Sequence, residues 1–167
     1  IASARHADPF SVLGPHVGDL DQLEVHRSYE ESIDRMQRFL GCRPEVIAYD
    51  LHPDYASTRY ALDRPEPVKV AVQHHHAHLA ACLGDNLWPL TGGAVAGIVL
   101  DGLGLGTEGT IWGGEVLVGD YRAVRRVAHL RPAALPGGDR AAREPWRNAL
   151  VRLDQAGLGD LADRLFA

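Results

Sequence analysis

The segment "VKVAVQHHHAHLAACLG", residues 68–84, constrains the fold more than any other. Its first five residues form a short apolar run of strand type. From about His74 the Ala, Leu and His positions take helical spacing, and Gly84 reads as the stop. The same order occurs just upstream. "EVIAYDLHP" reads as a buried strand that delivers Asp50, Leu51, His52 and Pro53 at its C-terminal end, and "DYASTRYAL" as the start of a helix that "DRPEP" breaks. Two strand-then-helix units in succession imply parallel strands in an α/β architecture.

Residues 15–40 carry Leu20, Leu23, Tyr29, Ile33, Met36, Phe39 and Leu40 at mostly helical spacing, with Gly41 as the stop. After "GDNLWPLTGG" the texture becomes β: "AVAGIVLDG", "TIWGGEVLVGD" and "AVRRVAHL" predict a three-stranded antiparallel meander. "RAAREPWRNALVRLDQAG" then predicts a helix with Arg-rich exposed positions. A join near residues 85–93 divides the chain: residues 1–90 form part of a first α/β lobe carrying the histidine helix, and 91–167 start a second lobe that is expected to be cut short.

Seventeen Lys and Arg against 22 Asp and Glu leave a formal charge of -5, which argues against a broad nucleic-acid face. The longest uncharged run, Asn86–Leu100, is 15 residues and is broken by Pro89, Gly92 and Gly93, too short to cross a membrane. "IASARHADPF" has neither the charged head nor the apolar core of a signal peptide, so a cytoplasmic location and no membrane partner are expected. Cys42 and Cys82 form no CxxC pair and read as free structural thiols.

"QHHHAH" places four of the chain's nine histidines in five positions. On a helix, His74 and His78 lie one turn apart on one face, whereas His75 and His76 are turned away by roughly 100° and 200°. One ion can take the pair, not all four. A zinc protease would have Glu directly after the first His, but position 75 is His. A third ligand is needed, and Asp101, which follows "GIVL" and opens a glycine-rich stretch, is the candidate. A solvated helix start, or histidines that cap backbone groups, are the plainer alternatives. An internal position between structured segments argues against a tag.

"DGLGLGTEGTIWGGE", residues 101–115, has six glycines in 15 positions between two expected strands. Such a turn lets backbone N–H groups approach an anion, with Thr110 adding a hydroxyl. It is neither a strand–loop–helix GxGxxG nor a GK[ST] loop. A plain glycine-rich β-hairpin is the alternative.

Taken in order, "PHVGDLDQLE", "DLHPDYASTRYA", "VQHHHAHLAACLGDN", "DGLGLGTEGTIWGGE" and "HLRPAALPGGDRAAREPWRNAL" resemble blocks of the C-terminal carbamoyltransferase domain of the HypF hydrogenase maturation family. That domain is similar to the tRNA threonylcarbamoyl transferase TsaD and to antibiotic O-carbamoyltransferases. The resemblance implies an actin-like, ribonuclease-H-like two-lobed α/β fold. It also implies transfer of a carbamoyl group from carbamoyl adenylate to the C-terminal cysteine of a HypE-type partner, towards the cyanide ligand of a nickel-iron hydrogenase. The adenylate is made from carbamoyl phosphate and ATP by a YrdC-like domain that this stretch does not contain.

By the same resemblance His74, His78 and Asp101 are ligands of zinc or iron, with a further Asp ligand from a part of the second lobe not represented here. Gly102, Gly104, Gly106, Gly109, Thr110, Gly113, Gly114 and Glu115 correspond to the nucleotide loop. Leu103, Leu105 and Glu108 depart from the family's usual small hydroxyl residue, aromatic and Asp. His52, His75 and His76 are candidates to take the thiol proton or orient the adenylate. Asp54, Tyr55, Arg59 and Tyr60 either line the same pocket or, for the tyrosines, pack between helix and sheet. A non-catalytic nucleotide- or partner-binding piece, or a relative acting on tRNA or a small-molecule hydroxyl, are the competing readings.

Overall fold

The computed structural model describes residues 2–3, 10–65, 68–138 and 140–166. Two compact units, Ile1–Ala77 and His78–Ala167, are taken separately. The first opens with a two-residue antiparallel pair, β1 (Ala2–Ser3) and β2 (Phe10–Ser11), followed by helix α1 (Leu23–Leu40). Strand β3 (Val46–Asp50), helix α2 (Ala56–Asp63) and strand β4 (Val68–Val72) then form the expected βαβ order, with β3 and β4 parallel and paired from Val46↔Val68 to Asp50↔Val72.

Helix α1 begins later than the apolar spacing predicts. Gly18 has φ +94, and Asp19 accepts the Asp21 N–H through Oδ1 at 3.0 Å, so a side-chain-locked turn occupies the lead-in. At the other end Gly41 adopts φ 59 and its N–H closes onto the last helical turn, as the sequence predicts. Helix α2 buries Ala56, Thr58, Tyr60 and Ala61, and the Thr58 hydroxyl donates to the Asp50 carbonyl at 2.9 Å, seating the helix on the end of β3.

Helix α3 (His74–Asp85) continues through the boundary between the units. It runs past Gly84, contrary to the expected stop. The Trp88 N–H reaches the Leu83 carbonyl at 2.9 Å and the Leu87 N–H reaches the Gly84 carbonyl at 3.1 Å, with Leu87 at φ 54. This is a Schellman end whose left-handed position is filled by leucine. Two substitutions therefore stabilise the chain. Gly84→Ala, in open space inside the helix, raises the unfolding free energy by about 1 kcal/mol. Leu87→Gly relieves the left-handed leucine by about the same amount. Urea unfolding checks both; destabilisation by Gly84→Ala would mean that the helix stops there after all.

The second unit contains the meander, β5 (Val95–Leu105), β6 (Ile111–Gly119) and β7 (Val124–His129), antiparallel in that order. Leu79 and Leu83 of α3 pack with Val99, Trp112 and Leu117 to form its core, with Val95, Tyr121 and Val124 around them. Leu79 lies so close to β5 that a Cβ on Gly97 would fall 2.6 Å from its Cδ1. The helix expected over residues 140–157 is two, α4 (Arg140–Arg143) and α5 (Trp146–Gln155), and a further helix, α6 (Gly159–Phe166), follows them. Pro145 has no N–H to continue α4, and its φ of -61 opens α5 instead. The strands expected to be buried are in part exposed. Val46, Val68 and Val70 are exposed, as are Ile98 and Leu100.

Candidate metal centre

The parallel register brings the first two polar groups together. Asp50 pairs with Val72, so the chain leaving β4 carries His74 over the same C-terminal sheet edge, 24 residues from Asp50 in sequence. The Asp50 Oδ2 to His74 Nδ1 distance is 2.5 Å, and Oδ1 accepts the His52 backbone N–H at 2.8 Å. Sequence reasoning noted Asp50 only as a strand-end polar residue. The available signal was its place, a carboxylate ending one parallel strand beside the histidine that follows the next.

Gln73 starts α3. Its Oε1 accepts the His76 N–H at 2.9 Å, which turns its Nε2 toward His75 Nδ1 at 3.2 Å. The amide both caps the helix and donates to the His75 ring. His75 is fully buried, whereas His76 is half-buried and His78 exposed. The four histidines thus have different surroundings, as the helical geometry requires.

Asp101 does not end its strand as expected. β5 continues to Leu105, but the β5–β6 register shifts between Leu100 and Gly104. Irregularities of this kind re-aim a side chain. Asp101 Oδ2 accepts the Leu103 N–H at 3.3 Å. His74, His78 and Asp101 each offer one ligand atom, and these atoms all lie within 4.8 Å of one another. Ligands held about 2.0–2.1 Å from one ion sit at most about 4 Å apart, so small side-chain rotations complete the set. Two imidazoles and a carboxylate suit zinc or ferrous iron, and the residues fit such an ion.

The other expected site residues are distributed differently. The His52 ring stacks on Tyr55 at 4.3 Å and accepts the Asp54 N–H at Nδ1, 3.3 Å away. Arg59 and Tyr60 line a groove with Leu23, His26 and Glu30 of α1, and the buried Tyr60 ring meets Tyr29 edge-on at 5.3 Å. Tyr60 therefore packs between helices.

The glycine-rich stretch is a hairpin, and several of its expected donors are already engaged. The Gly106 N–H bonds the Thr110 carbonyl at 2.7 Å, and the Gly109 N–H bonds the Gly106 carbonyl at 3.0 Å. The Gly113 N–H donates to Glu115 Oε1 at 3.1 Å. Glu115 is buried, and its Oε2 takes the Arg126 Nε–H at 2.5 Å. At Gly106 a Cβ would lie 2.0 Å from Trp112 Nε1, so packing under the indole requires that glycine. The N–H groups of Gly106, Gly109 and Gly113 are thus engaged within the hairpin itself. Gly102, Gly104 and Gly114 flank the register shift beside Asp101.

At the hairpin tip, Glu108 accepts from Trp112 Nε1 at 2.7 Å, from the Thr110 and Thr107 hydroxyls at 3.0 and 3.2 Å, and from Arg126 at 3.2 Å. The Trp112 N–H above all, with the threonine hydroxyls, holds its carboxyl at about 2, below the usual carboxylate range. Because the folded value is depressed, the stability it contributes is full above the ordinary value of 4.5 and is lost as pH falls through about 2. The Trp112 indole N–H resonance is accordingly expected to hold steady from neutral pH down to about 4 and to shift only as pH nears 2, with Glu108→Gln abolishing the response. A midpoint at the ordinary value would contradict this.

A family model described as "HypF Kae1-like domain" matches residues 3–85, and one described as "Carbamoyltransferase, Kae1-like Domain, second subdomain" matches 97–167. The chain is 57% identical over 159 residues to the carbamoyltransferase HypF of Rhodobacter capsulatus, covering 93% of this chain and 22% of that one. It is 47% identical to the carbamoyltransferase HypF2 of Cupriavidus necator, covering 89% and 18%. A crystal structure of full-length HypF in the phosphate- and nucleotide-bound form matches with a TM-score of 0.74 and 41% identity, over 83% of this chain and 18% of that one. That of T. kodakarensis HypF matches with a TM-score of 0.67 and 35% identity, over 80% and 17%. The chain thus shares the mixed α/β, Kae1-like fold and spans about a fifth of the length of the relatives it matches. Among the described residues, no helix is long and apolar enough to cross a membrane.

Proposed function

The chain belongs to the HypF Kae1-like carbamoyltransferase domain family, and from that premise we propose that it carries the carbamoyl-transfer site of a hydrogenase maturation factor acting in the cytoplasm. The observation that supports this most is the convergence of His74, His78 and Asp101 on one small volume. A divalent cation held there, zinc or iron, would supply Lewis-acid polarisation of the carbamoyl oxygen or of phosphate oxygens. The two imidazoles act as neutral nitrogen donors and Asp101 as the anionic one.

The substrate of this site is carbamoyl adenylate, made from carbamoyl phosphate and ATP on the YrdC-like domain of the same polypeptide. The acceptor is the C-terminal cysteine of a HypE-type partner. Its thiolate sulfur forms a bond to the carbamoyl carbon, the carbon–oxygen bond to the adenylate phosphate breaks, and AMP departs with the electron pair. No nucleophile is needed from this chain. His52 and His76, both half-buried, are the proposed acceptors of the thiol proton, and the enclosed His75 braces the start of the helix. Gly102, Gly104 and Gly114 remain the candidates for backbone contact with the nucleotide phosphate.

The test is to offer carbamoyl adenylate together with a cysteine-ended partner protein, tRNA, or a small hydroxyl acceptor. Carbamoylation of the thiol alone supports the proposal, and labelling of tRNA or the hydroxyl favours the sister activities. Partner binding without any transfer would indicate a non-catalytic role.

A further inference from the structure

Among the groups around α3, Asp50 has a side chain whose two oxygens are both committed, one to the turn that follows β3 and one to His74. An ionised carboxylate only accepts hydrogen bonds, so at 2.5 Å the His74 nitrogen facing it, Nδ1, carries the proton. When the ring ligates a metal, its lone pair is then on Nε2, the nitrogen on the far side. Asp50 is itself anchored: its carbonyl accepts the buried Thr58 hydroxyl at 2.9 Å, and its Oδ1 accepts the His52 N–H. The carboxylate is therefore placed by β3 and α2, independently of α3.

We propose that Asp50 is the positioning residue for the metal centre, holding His74 in the Nδ1–H form and fixing its ring so that Nε2 is the ligating atom. The proposal rests on the metal reading of His74, His78 and Asp101. It adds that their affinity is set partly by a residue outside the ligand set, as is general for histidine ligands.

Asp50→Asn separates this from a merely structural role. Asn has one acceptor where Asp50 uses two, and its NH2 group is a donor. If the Asn oxygen keeps the His52 N–H, the amide donates to His74 Nδ1 and drives the ring to the Nε2–H form, while the turn survives. Zinc affinity is measured by competition with a chromophoric chelator for the wild type, Asp50→Asn, Asp50→Ala and His74→Ala. The His74 tautomer is read in the metal-free protein by long-range nitrogen–proton NMR, with thermal melting as the check on folding.

The expected result is a loss of affinity of about 10–100-fold in both Asp50 variants with little change in melting temperature, and a His74 tautomer that switches in Asp50→Asn. Wild-type affinity in both variants would overturn the proposal, as would an Nε2–H ring in the wild type. A loss as complete as that of His74→Ala would also overturn it, because Asp50 would then be a ligand. If the wild type itself binds no zinc, the metal reading fails as well; the tautomer result separately reports whether Asp50 sets the His74 ring.

Discussion

His78→Ala is expected to leave the fold intact and to weaken zinc or iron binding by more than about a hundredfold, beyond the range for loss of a supporting residue. His78 is exposed, so its removal opens no cavity, whereas Leu79 and Leu83 of the same helix hold the core. His74→Ala is expected to behave alike, although it also strips Asp50 of its partner. Asp101→Asn is the milder partner change, because the amide oxygen can still accept the Leu103 N–H that holds the bulge. Metal content and chelator competition measure the effect, with far-UV circular dichroism confirming helix and sheet. Unchanged stoichiometry in both histidine variants would remove the metal centre, and with it the support for Lewis-acid catalysis.

The second large effect concerns stability. Arg126→Met is expected to destabilise the chain by about 3 kcal/mol, because it leaves the Glu115 carboxylate buried beside a single remaining N–H donor. Glu115 is 2% exposed and Arg126 25%, so the lower part of the range for a broken buried pair applies. Arg126 also lies over the Trp112 ring at 4.3 Å, and methionine keeps part of that packing. If Glu115 is the anchor of the hairpin, Glu115→Gln combined with Arg126→Met recovers much of the loss, since no buried charge is left without its partner. Urea unfolding of the single and double variants decides this. Equal destabilisation in both would assign the effect to lost packing over Trp112.

These two cases mark how far the candidate site was legible. The HxxxH pair could be read directly, because helical geometry is local and a four-residue spacing has one spatial meaning. The strand–helix–strand order and the meander were legible for the same reason, through the runs "EVIAYD", "VKVAV" and "IWGGEVLVG". Glu115 and Gly106 were harder. A glycine-rich stretch has the same composition whether its freedom serves a ligand or a neighbouring ring. Only the position of Trp112 under which Gly106 sits, and of Arg126 beside Glu115, shows packing at those two residues. Helix ends were misread where a second signal competed. Gly84 looked like the stop of α3, yet the hydrogen bonds close three residues later at Leu87, and Pro145 divided what the Ala and Leu spacing presents as one helix.

By itself, then, the sequence determined the elements, their α/β order, the family resemblance and the pairing of His74 with His78, all of which depend on spacing along one segment. The tertiary structure alone decided which distant groups meet. Register in the β3–β4 pair puts Asp50 against His74, and the break in the β5–β6 ladder at Asp101 accompanies its approach to the two imidazoles. The physical reason is that backbone hydrogen bonds can form in any register, so pairing and the place of a bulge are settled by how side chains of separate segments pack against one another, which no single segment encodes.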